Sequence, residues 1–450
     1  MGKKWALFLL TVLLLLPHIE SYSGGVTLLW EKTLPNSIGV RYSVIFSSDG
    51  KRLFIDTRDA KNYSKGVLYC FDTVSGKILW STTYDRGLGP KKLPLMSGLA
   101  LSDELKCVVV AGSGRALVFR IDTGEKVSEI PSKPLKPVFL GISVSGRYLL
   151  AKVFAVTAFF GDLSNPDKWW SIRSLLKPLA VSSDGKALIL LPAKMEGKLV
   201  SSANLTCFDK SGKILWWVVP YFLCKEVGAE RVGNIVMNKD FTKIIIPCVS
   251  TDPKTKAWFI KKLLILNRQG KVVSSVDVPS KEIVSIYMLS STGDKALIRF
   301  VNGSYAVSDL SFKMIRILKV KPWYEKKKVF LIATQDLKYI LIRTLKGEEE
   351  EALAIVSGEN GEVLAYLPIL AKNVLEGALS PDGTLIALIT PGKNNLKVSV
   401  FKLTPGVLTS EKEAEVTITS NPSGAKVYIN DKYVGETPLK VKLAPGEYTI

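Results

Sequence analysis

Residues 70–80 read CFDTVSGKILW, and residues 207–216 read CFDKSGKILW, which is the same sequence except that Lys210 replaces the pair Thr73-Val74. Each copy is an apolar run, a turn that contains Gly76 or Gly212, and a second apolar run. This pattern predicts two antiparallel strands joined by a tight turn. Degenerate copies occur at 119–127, 266–273 and 358–364. The recurrence predicts an all-β protein built from one repeated unit of short strands.

A second kind of turn precedes these hairpins. It is an Asp-Gly pair between two apolar runs, at Asp49-Gly50, Asp184-Gly185 and Asp382-Gly383. Asp-Gly between strands is typical of a type I′ hairpin turn. Weaker equivalents are centred on Asp103, Ser145, Asp240, Gly293 and Asp336. Together the eight turns divide the region into units of similar length. Their period, filled with four short strands, indicates a β-propeller with one blade per unit.

The number of blades depends on both ends of the repeat region, which we place at residues 26–404. The last unit reaches its third strand at residues 396–403 and then runs into Thr404-Pro405-Gly406 without a fourth. Residues 27–34 form an unassigned strand whose sequence is similar to the outer strands of other units. Pairing the two would close the ring and remove its free edges. We therefore predict eight blades, with seven as the alternative if the irregular unit at 139–173 is not a blade.

The repeat resembles the PQQ-like and WD-repeat-like propellers, most clearly in the Asp-containing turns that lead to Trp80 and Trp216. The resemblance implies either a quinone-dependent dehydrogenase or a scaffold without a cofactor, since the PQQ-like group includes both. No adjacent cysteine pair and no DxDxDG loop for Ca²⁺ occurs in the sequence. We therefore expect no cofactor, and we expect Asp72, Asp209 and the two tryptophans to serve blade turns and packing between blades.

The sequence pattern changes after a linker at residues 405–414. Residues 420–430 read SNPSGAKVYIN, residues 435–438 read GETP, and residues 443–448 read LAPGEY. In order and spacing these runs resemble the PEGA domain, a small β-sandwich of archaeal and bacterial surface proteins that is thought to mediate envelope interaction. The matching residues are Asn421, Pro422, Gly424, Gly435, Pro438, Pro445 and Gly446. We assign 415–450 to this domain. Because Ile450 falls within its next strand, we expect the domain to be incomplete.

Residues 1–23 have the pattern of a secretory signal peptide. Lys3 and Lys4 precede a run at 5–16 that is apolar apart from Thr11. This run is too short for a helix to cross a hydrocarbon core of about 30 Å, so we favour cleavage over a retained anchor. The protein is therefore expected to be exported to the cell surface and to be peripheral to the membrane.

Positive charge is concentrated in residues 26–404. The chain has 61 Lys and Arg against 41 Asp and Glu, a net charge of +20, and the charges outside this region cancel. For an exported protein this excess favours an anionic envelope partner, such as a glycan, a surface-layer protein or lipid headgroups. Nucleic acid is disfavoured, because no binding motif occurs and the compartment is wrong. A lysine-rich thermophile surface is the alternative, and the two glutamines, Gln269 and Gln335, fit a heat-adapted source.

Catalytic chemistry has little support in the sequence. The one histidine, His18, lies in the predicted signal peptide, so the mature chain is expected to contain no imidazole. This excludes catalytic triads and zinc sites that depend on histidine. The five cysteines lack CxxC spacing, and their pairing cannot be read from sequence. We predict a binding or scaffold protein with no catalytic or metal-binding residue. The alternative is a propeller enzyme, either a quinone-dependent dehydrogenase or a lyase or hydrolase that uses carboxylates facing the central channel.

Overall fold

The computed structural model describes residues 25–62, 64–85, 98–112, 115–132, 139–153, 157–173, 177–195, 198–320, 330–346, 350–367, 373–404, 414–420, 423–429 and 432–443. The predicted signal peptide and the linker up to residue 413 lie outside these ranges. So do four residues of the predicted PEGA motif, Asn421, Pro422, Pro445 and Gly446.

Residues 26–403 form eight antiparallel sheets. The first strand is β1 (Val26–Pro35), and the first four blades follow it along the chain. Blade 1 contains β2 (Ser37–Phe46), β3 (Arg52–Asp59), β4 (Lys65–Asp72) and β5 (Ile78–Asp85). Blade 2 contains β6 (Leu99–Ser102), β7 (Cys107–Ala111), β8 (Ala116–Arg120) and β9 (Lys126–Ile130). Blade 3 contains β10 (Phe139–Ser145), β11 (Tyr148–Val153), β12 (Thr157–Asp162) and β13 (Asn165–Arg173). Blade 4 contains β14 (Lys177–Val181), β15 (Ala187–Met195), β16 (Lys198–Phe208) and β17 (Ile214–Val218).

A short helix, α1 (Pro220–Glu226), separates blade 4 from blade 5. Blade 5 has an inner strand in two pieces, β18 (Arg231–Val232) and β19 (Val236–Met237), followed by β20 (Ile244–Thr251), β21 (Trp258–Leu266) and β22 (Val272–Asp277). Blade 6 contains β23 (Ile283–Leu289), β24 (Lys295–Phe300), β25 (Tyr305–Asp309) and β26 (Ile315–Ile317). Blade 7 contains β27 (Leu331–Ala333), β28 (Tyr339–Lys346), β29 (Glu350–Ser357) and β30 (Val363–Leu367). Blade 8 contains β31 (Glu376–Leu379), β32 (Leu385–Pro391) and β33 (Asn395–Leu403).

Strand β1 completes blade 8. It pairs with β33 from Val26 opposite Leu403 to Pro35 opposite Asn395, so the first strand of the propeller becomes the outermost strand of the last blade. The irregular unit at 139–173 forms a complete four-stranded sheet. The prediction of eight blades is therefore confirmed, and the seven-bladed alternative is wrong.

The hydrophobic core is divided among the junctions between blades. Among the described residues, buried apolar side chains form eight separate clusters, one at each junction. Alternation along a strand explains this arrangement, because successive side chains leave opposite faces of a sheet. In β3, Leu53 and Ile55 pack towards blade 8, whereas Phe54 packs towards blade 2.

The Asp-Gly turns adopt a different conformation from the one predicted. In each of the three, a backbone hydrogen bond closes a four-residue turn that ends at the glycine, and the positive φ falls on that glycine and not on the Asp before it. The turn is therefore type I followed by a left-handed glycine, and the type I′ prediction is wrong. The Ser47 hydroxyl explains why. It donates to the Asp49 carboxylate at 2.6 Å and accepts from the Arg52 N–H at 2.9 Å, which holds the Asp in right-handed geometry.

The antiparallel blades give the propeller two distinct faces. Connections between first and second strands, and between third and fourth strands, end at one face, which we call the turn face. The other connections end at the opposite face, which we call the loop face. Turn-face connections are short, whereas the two longest connections between successive strands, at 86–98 and 318–330, begin and end at the loop face. Helix α1 is on the loop face and was not predicted. Pro220 occupies its first turn, where a missing N–H costs no hydrogen bond.

The C-terminal module contains two antiparallel strand pairs. Strand β34 (Ala414–Ile418) pairs with β37 (Leu439–Leu443), and β35 (Lys426–Ile429) pairs with β36 (Lys432–Glu436). Gly424 and Gly435 both have positive φ. The hydroxyl of Thr437, the residue before Pro438, accepts from the Gly424 and Ala425 N–H groups at 3.2 and 3.0 Å.

Candidate functional site

The two faces of the propeller differ in charge. Counted between successive strands, the turn-face connections contain 13 Lys and Arg and 13 Asp and Glu, a net charge of zero. The loop-face connections contain 18 Lys and Arg and 8 Asp and Glu. Half of the +20 of the chain therefore belongs to connections that begin and end at one face. This asymmetry makes the loop face the candidate surface for an anionic partner.

On the turn face, charged and aromatic groups form hydrogen bonds and packing contacts within the fold. Hydrogen bonds from Ser47 and from the Lys51 N–H lower the pKa of Asp49. The side chain of Ser211 does the same for the pKa of Asp209. These carboxylates are ionised and already bonded to their own turns, so they are poor candidates for catalysis.

Tryptophan side chains of one blade pack on turn-face glycines of the next blade. The Trp30 indole on β1 lies so close to Gly76 that a Cβ there would be 2.5 Å from the ring, and its Nε1 donates to the Thr73 carbonyl at 2.9 Å. Trp216 packs in the same way on Gly270, and its Nε1 donates to the Arg268 carbonyl at 2.9 Å. Gly212 lies under Trp170. The repeat residues noted in the sequence thus lie at blade junctions, where they pack.

The innermost strands line the central channel and contain little acid. In the strand bounds given above, the eight inner strands hold one carboxylate, Glu376, and three basic residues, Arg41, Lys177 and Arg231. These strands therefore do not supply the two facing carboxylates that a glycosidase-type mechanism requires.

A cavity of about 480 Å³ lies between blades 4 and 5, beside the loop-face helix α1. Its apolar wall comes from both blades and from α1, and consists of Leu179, Leu190, Ala203, Pro220, Val232 and Ile235. Its size and apolar lining are typical of a ligand pocket.

The polar and aromatic part of the cavity lining, which we call its mouth, is formed by Tyr221, Glu230 and Arg231. The Arg231 guanidinium lies 4.2 Å from the centre of the Trp258 ring, a cation–π contact. Glu230 accepts from the Thr251 hydroxyl at 2.8 Å, and this bond keeps the pKa of Glu230 below its usual value. Tyr221 is 37% exposed and Trp258 is 55% exposed. Arg231 makes no hydrogen bond or ion pair with another described residue, so its donors face solvent.

A disulfide fixes α1 beside the cavity. Cys224 of α1 is bonded to Cys248 of β20, and both are buried. The other three cysteines are free and buried, and burial raises the pKa of Cys70 to about 12 and that of Cys107 and Cys207 to about 11. Thiols with such pKa values are poor nucleophiles at neutral pH.

Sequence reasoning missed the cavity and its rim. Arg231 and Trp258 are far apart in the sequence and belong to two different strands, and Tyr221 belongs to a helix that the strand pattern did not indicate. Two N-glycosylation sequons, at Asn62 and Asn302, lie in exposed loop-face turns, whereas a third, at Asn204, lies within β16. In the part of the chain that the structure describes, no helix is long and apolar enough to cross a membrane, and no three His, Cys, Asp or Glu side chains group as metal ligands would.

Comparison with known proteins agrees with both folds. Residues 413–450 match the PEGA domain family. The C-terminal module is a PEGA domain. The chain is similar in structure to the C-terminal WD40 domain of Sif2, with a TM-score of 0.54 and 10% identity over 85% of this chain and 99% of that one. It is also similar to BamB from Moraxella catarrhalis, with a TM-score of 0.49 and 13% identity over 84% of this chain and 98% of that one. No curated protein matches the chain. At 10% identity the similarity to the Sif2 domain shows the propeller fold alone.

Proposed function

We propose that the protein is an exported, non-enzymatic scaffold of the cell surface, whose propeller binds an anionic envelope component through its loop face. The PEGA domain would be its tether to the envelope. The observation that carries this proposal is the charge asymmetry: the connections that begin and end at one face contain 18 bases and 8 acids, whereas those of the other face are balanced. A generally lysine-rich thermophile surface would put its excess on both faces, so the asymmetry favours a binding role even if the source is heat-adapted.

The path of the chain supports this division of roles. Gly25 and Thr404 are where the chain enters and leaves the propeller, and both lie at the turn face, joined by a hydrogen bond of 2.7 Å from the Thr404 N–H to the Gly25 carbonyl. The segment that leads to the PEGA domain therefore departs from the neutral face. The basic face is at the opposite end of the strands from this exit.

Three further observations support export and binding. The disulfide between Cys224 and Cys248 is the kind of bond that persists in oxidising compartments. PEGA domains are typically found in extracellular proteins. The shortage of carboxylates on the inner strands favours binding over a carboxylate enzyme.

Two matched triple variants test the proposal. Lys61, Lys254 and Lys393 are exposed on the loop face, and Lys51, Lys77 and Lys213 are exposed on the turn face. Changing either set to Glu alters the net charge equally. We expect the loop-face triple to lower binding to fractionated anionic envelope polymers at least tenfold at low salt, and the turn-face triple to keep it within about twofold. Wild-type binding should weaken as salt rises, because exposed charges are screened. Equal losses in both triples, or binding that ignores salt, would refute the loop face as the binding surface.

A further inference from the structure

We infer that the cavity between blades 4 and 5 binds a bulky apolar side chain from an acidic segment of a protein partner. This inference rests on the proposed function and narrows it, because it selects a polypeptide from among the anionic partners of the loop face. In this arrangement the apolar side chain of the partner occupies the cavity, and Arg231 binds a neighbouring carboxylate of the partner.

The apolar wall argues against a purely polar partner. A cavity of about 480 Å³ lined by Leu179, Leu190 and Ile235 gains binding energy when an apolar group displaces water from it. A sulfated or carboxylated glycan has no apolar body of that size to place there. The partner must therefore combine negative charge with an apolar group.

The residues at the mouth favour a protein. Tyr221, Arg231 and Trp258 represent the three residue types that dominate binding energy at protein interfaces. Stacking on Trp258 holds the Arg231 guanidinium in place, while its donors are unused by other described residues. Arg231 can thus donate two parallel hydrogen bonds to a carboxylate.

The charged residues around the mouth determine on which side of the cavity the acidic residues of the partner lie. Glu230 is ionised and already accepts hydrogen bonds from Thr251, so it repels a second carboxylate on its own side. The turn that leads into Trp258 contributes exposed Lys254 and Lys256. The acidic residues of the segment are therefore expected to lie over Arg231 and this turn.

The cavity is held open before any partner arrives. Helix α1 packs against β16 of blade 4 and β18 of blade 5, and its disulfide to β20 fixes it covalently. Such a preformed site avoids the entropy loss of ordering a loop during binding.

The test uses a displayed library of short acidic peptides with randomised central positions, selected on the purified full chain. We expect enriched peptides to carry Leu, Ile, Met, Phe or Trp at one central position. Replacing that residue by Ala should weaken binding at least tenfold. Ala203→Trp fills the cavity and Arg231→Gln removes the guanidinium, and each should also weaken binding at least tenfold. Lys77→Gln, on the turn face in blade 1, is the control and should change binding less than twofold.

The failure of this inference can be told apart from failure of the proposed function. Polyglutamate contains no apolar group, so its salt-dependent binding reports on the basic face alone. If polyglutamate binds but no peptide with an apolar centre is enriched, or if such peptides bind Ala203→Trp and Arg231→Gln as well as wild type, the cavity is not the anchor site. If vesicles of phosphatidylglycerol bind with a loss on Ala203→Trp and the peptides do not, the occupant is a lipid and the inference is overturned. If polyglutamate itself does not bind, the proposed function of the basic face is refuted.

Discussion

The two faces of this propeller are built from the same eight blades but solve different problems. Turn-face connections are short, are closed by hydrogen bonds within each turn, and contain equal numbers of basic and acidic residues. The loop face has long connections, an excess of positive charge, a helix held by a disulfide, and a cavity with the Arg231 guanidinium at its mouth. Charged and aromatic groups of the turn face form hydrogen bonds and packing contacts within the fold, whereas Arg231 on the loop face makes no hydrogen bond or ion pair with another described residue. The difference shows that repetition in a propeller marks its framework, and that departures from repetition mark where to look for function.

The largest expected effect comes from removing the covalent support of the loop face. The double change Cys224→Ala and Cys248→Ala opens a link across a sequence separation of 24 and should lower the free energy of unfolding by about 3 kcal/mol. Chemical denaturation with and without reductant measures it. Reductant should destabilise the wild type and leave the double variant unchanged. A wild type that is indifferent to reductant would mean that this disulfide does not stabilise the protein.

A comparison within the turn face separates packing from backbone strain. Gly76 and Gly50 have nearly equal φ values, +66° and +70°, but a Cβ at Gly76 would be 2.5 Å from the Trp30 ring while one at Gly50 would be 4.0 Å from its nearest neighbour. Gly50→Ala should cost about 1 kcal/mol through strain alone. Gly76→Ala should cost about 2–3 kcal/mol, because overpacking against Trp30 is added. Equal losses in thermal unfolding would show that Trp30 yields freely and that its contact does not restrict this position.

The smallest effect concerns acid stability of the turn face. The hydroxyls of Ser290 and Thr292 lower the pKa of Asp294 to about 2. A pKa that is lower in the folded state stabilises the protein above the unfolded value of about 3.9, and this stabilisation is lost as the pH falls towards 2. Asp294→Asn should therefore flatten the fall in melting temperature between about pH 4 and pH 2. Because Asp294 is exposed, the change should be below about 1 kcal/mol.

The control for this effect is Asp277→Asn, an exposed loop-face strand end whose partner is Lys262. It should leave the acid limb of the stability profile steeper than Asp294→Asn does. If both variants show the same profile, the hydroxyl bonds of the turn do not set the acid response.

What could be predicted from the sequence follows the same division between faces. Turn chemistry is local, so Asp49, Gly50 and Gly76 indicate their turns through their immediate neighbours. The spacing of such turns predicted eight units, although the irregular unit at 139–173 left seven blades as an alternative. The closing role of residues 27–34 was also predictable, because the last unit lacked a strand. The exact turn type was not, since it depends on the hydroxyl of Ser47 reaching around the turn to Asp49 and Arg52.

The candidate site could not be predicted, because it is assembled between elements. Ala203 belongs to blade 4, Tyr221 to α1 and Arg231 to blade 5, and no local pattern links them. Five cysteines without regular spacing gave no indication that Cys224 and Cys248 would pair. Such features depend on how neighbouring sheets pack, and a repeat period contains no information about that.

The closure of the ring by β1 also has a mechanical consequence. A pull on the chain beyond Thr404 enters the propeller through β33, which is not an edge strand, because β32 and β1 pair with it on either side. When the opposite end of the propeller is held, the force runs parallel to these strands and loads both ladders of hydrogen bonds at once. Resistance to extraction therefore depends on the very first strand of the fold, which lies at the other end of the repeat region from the point where the load is applied.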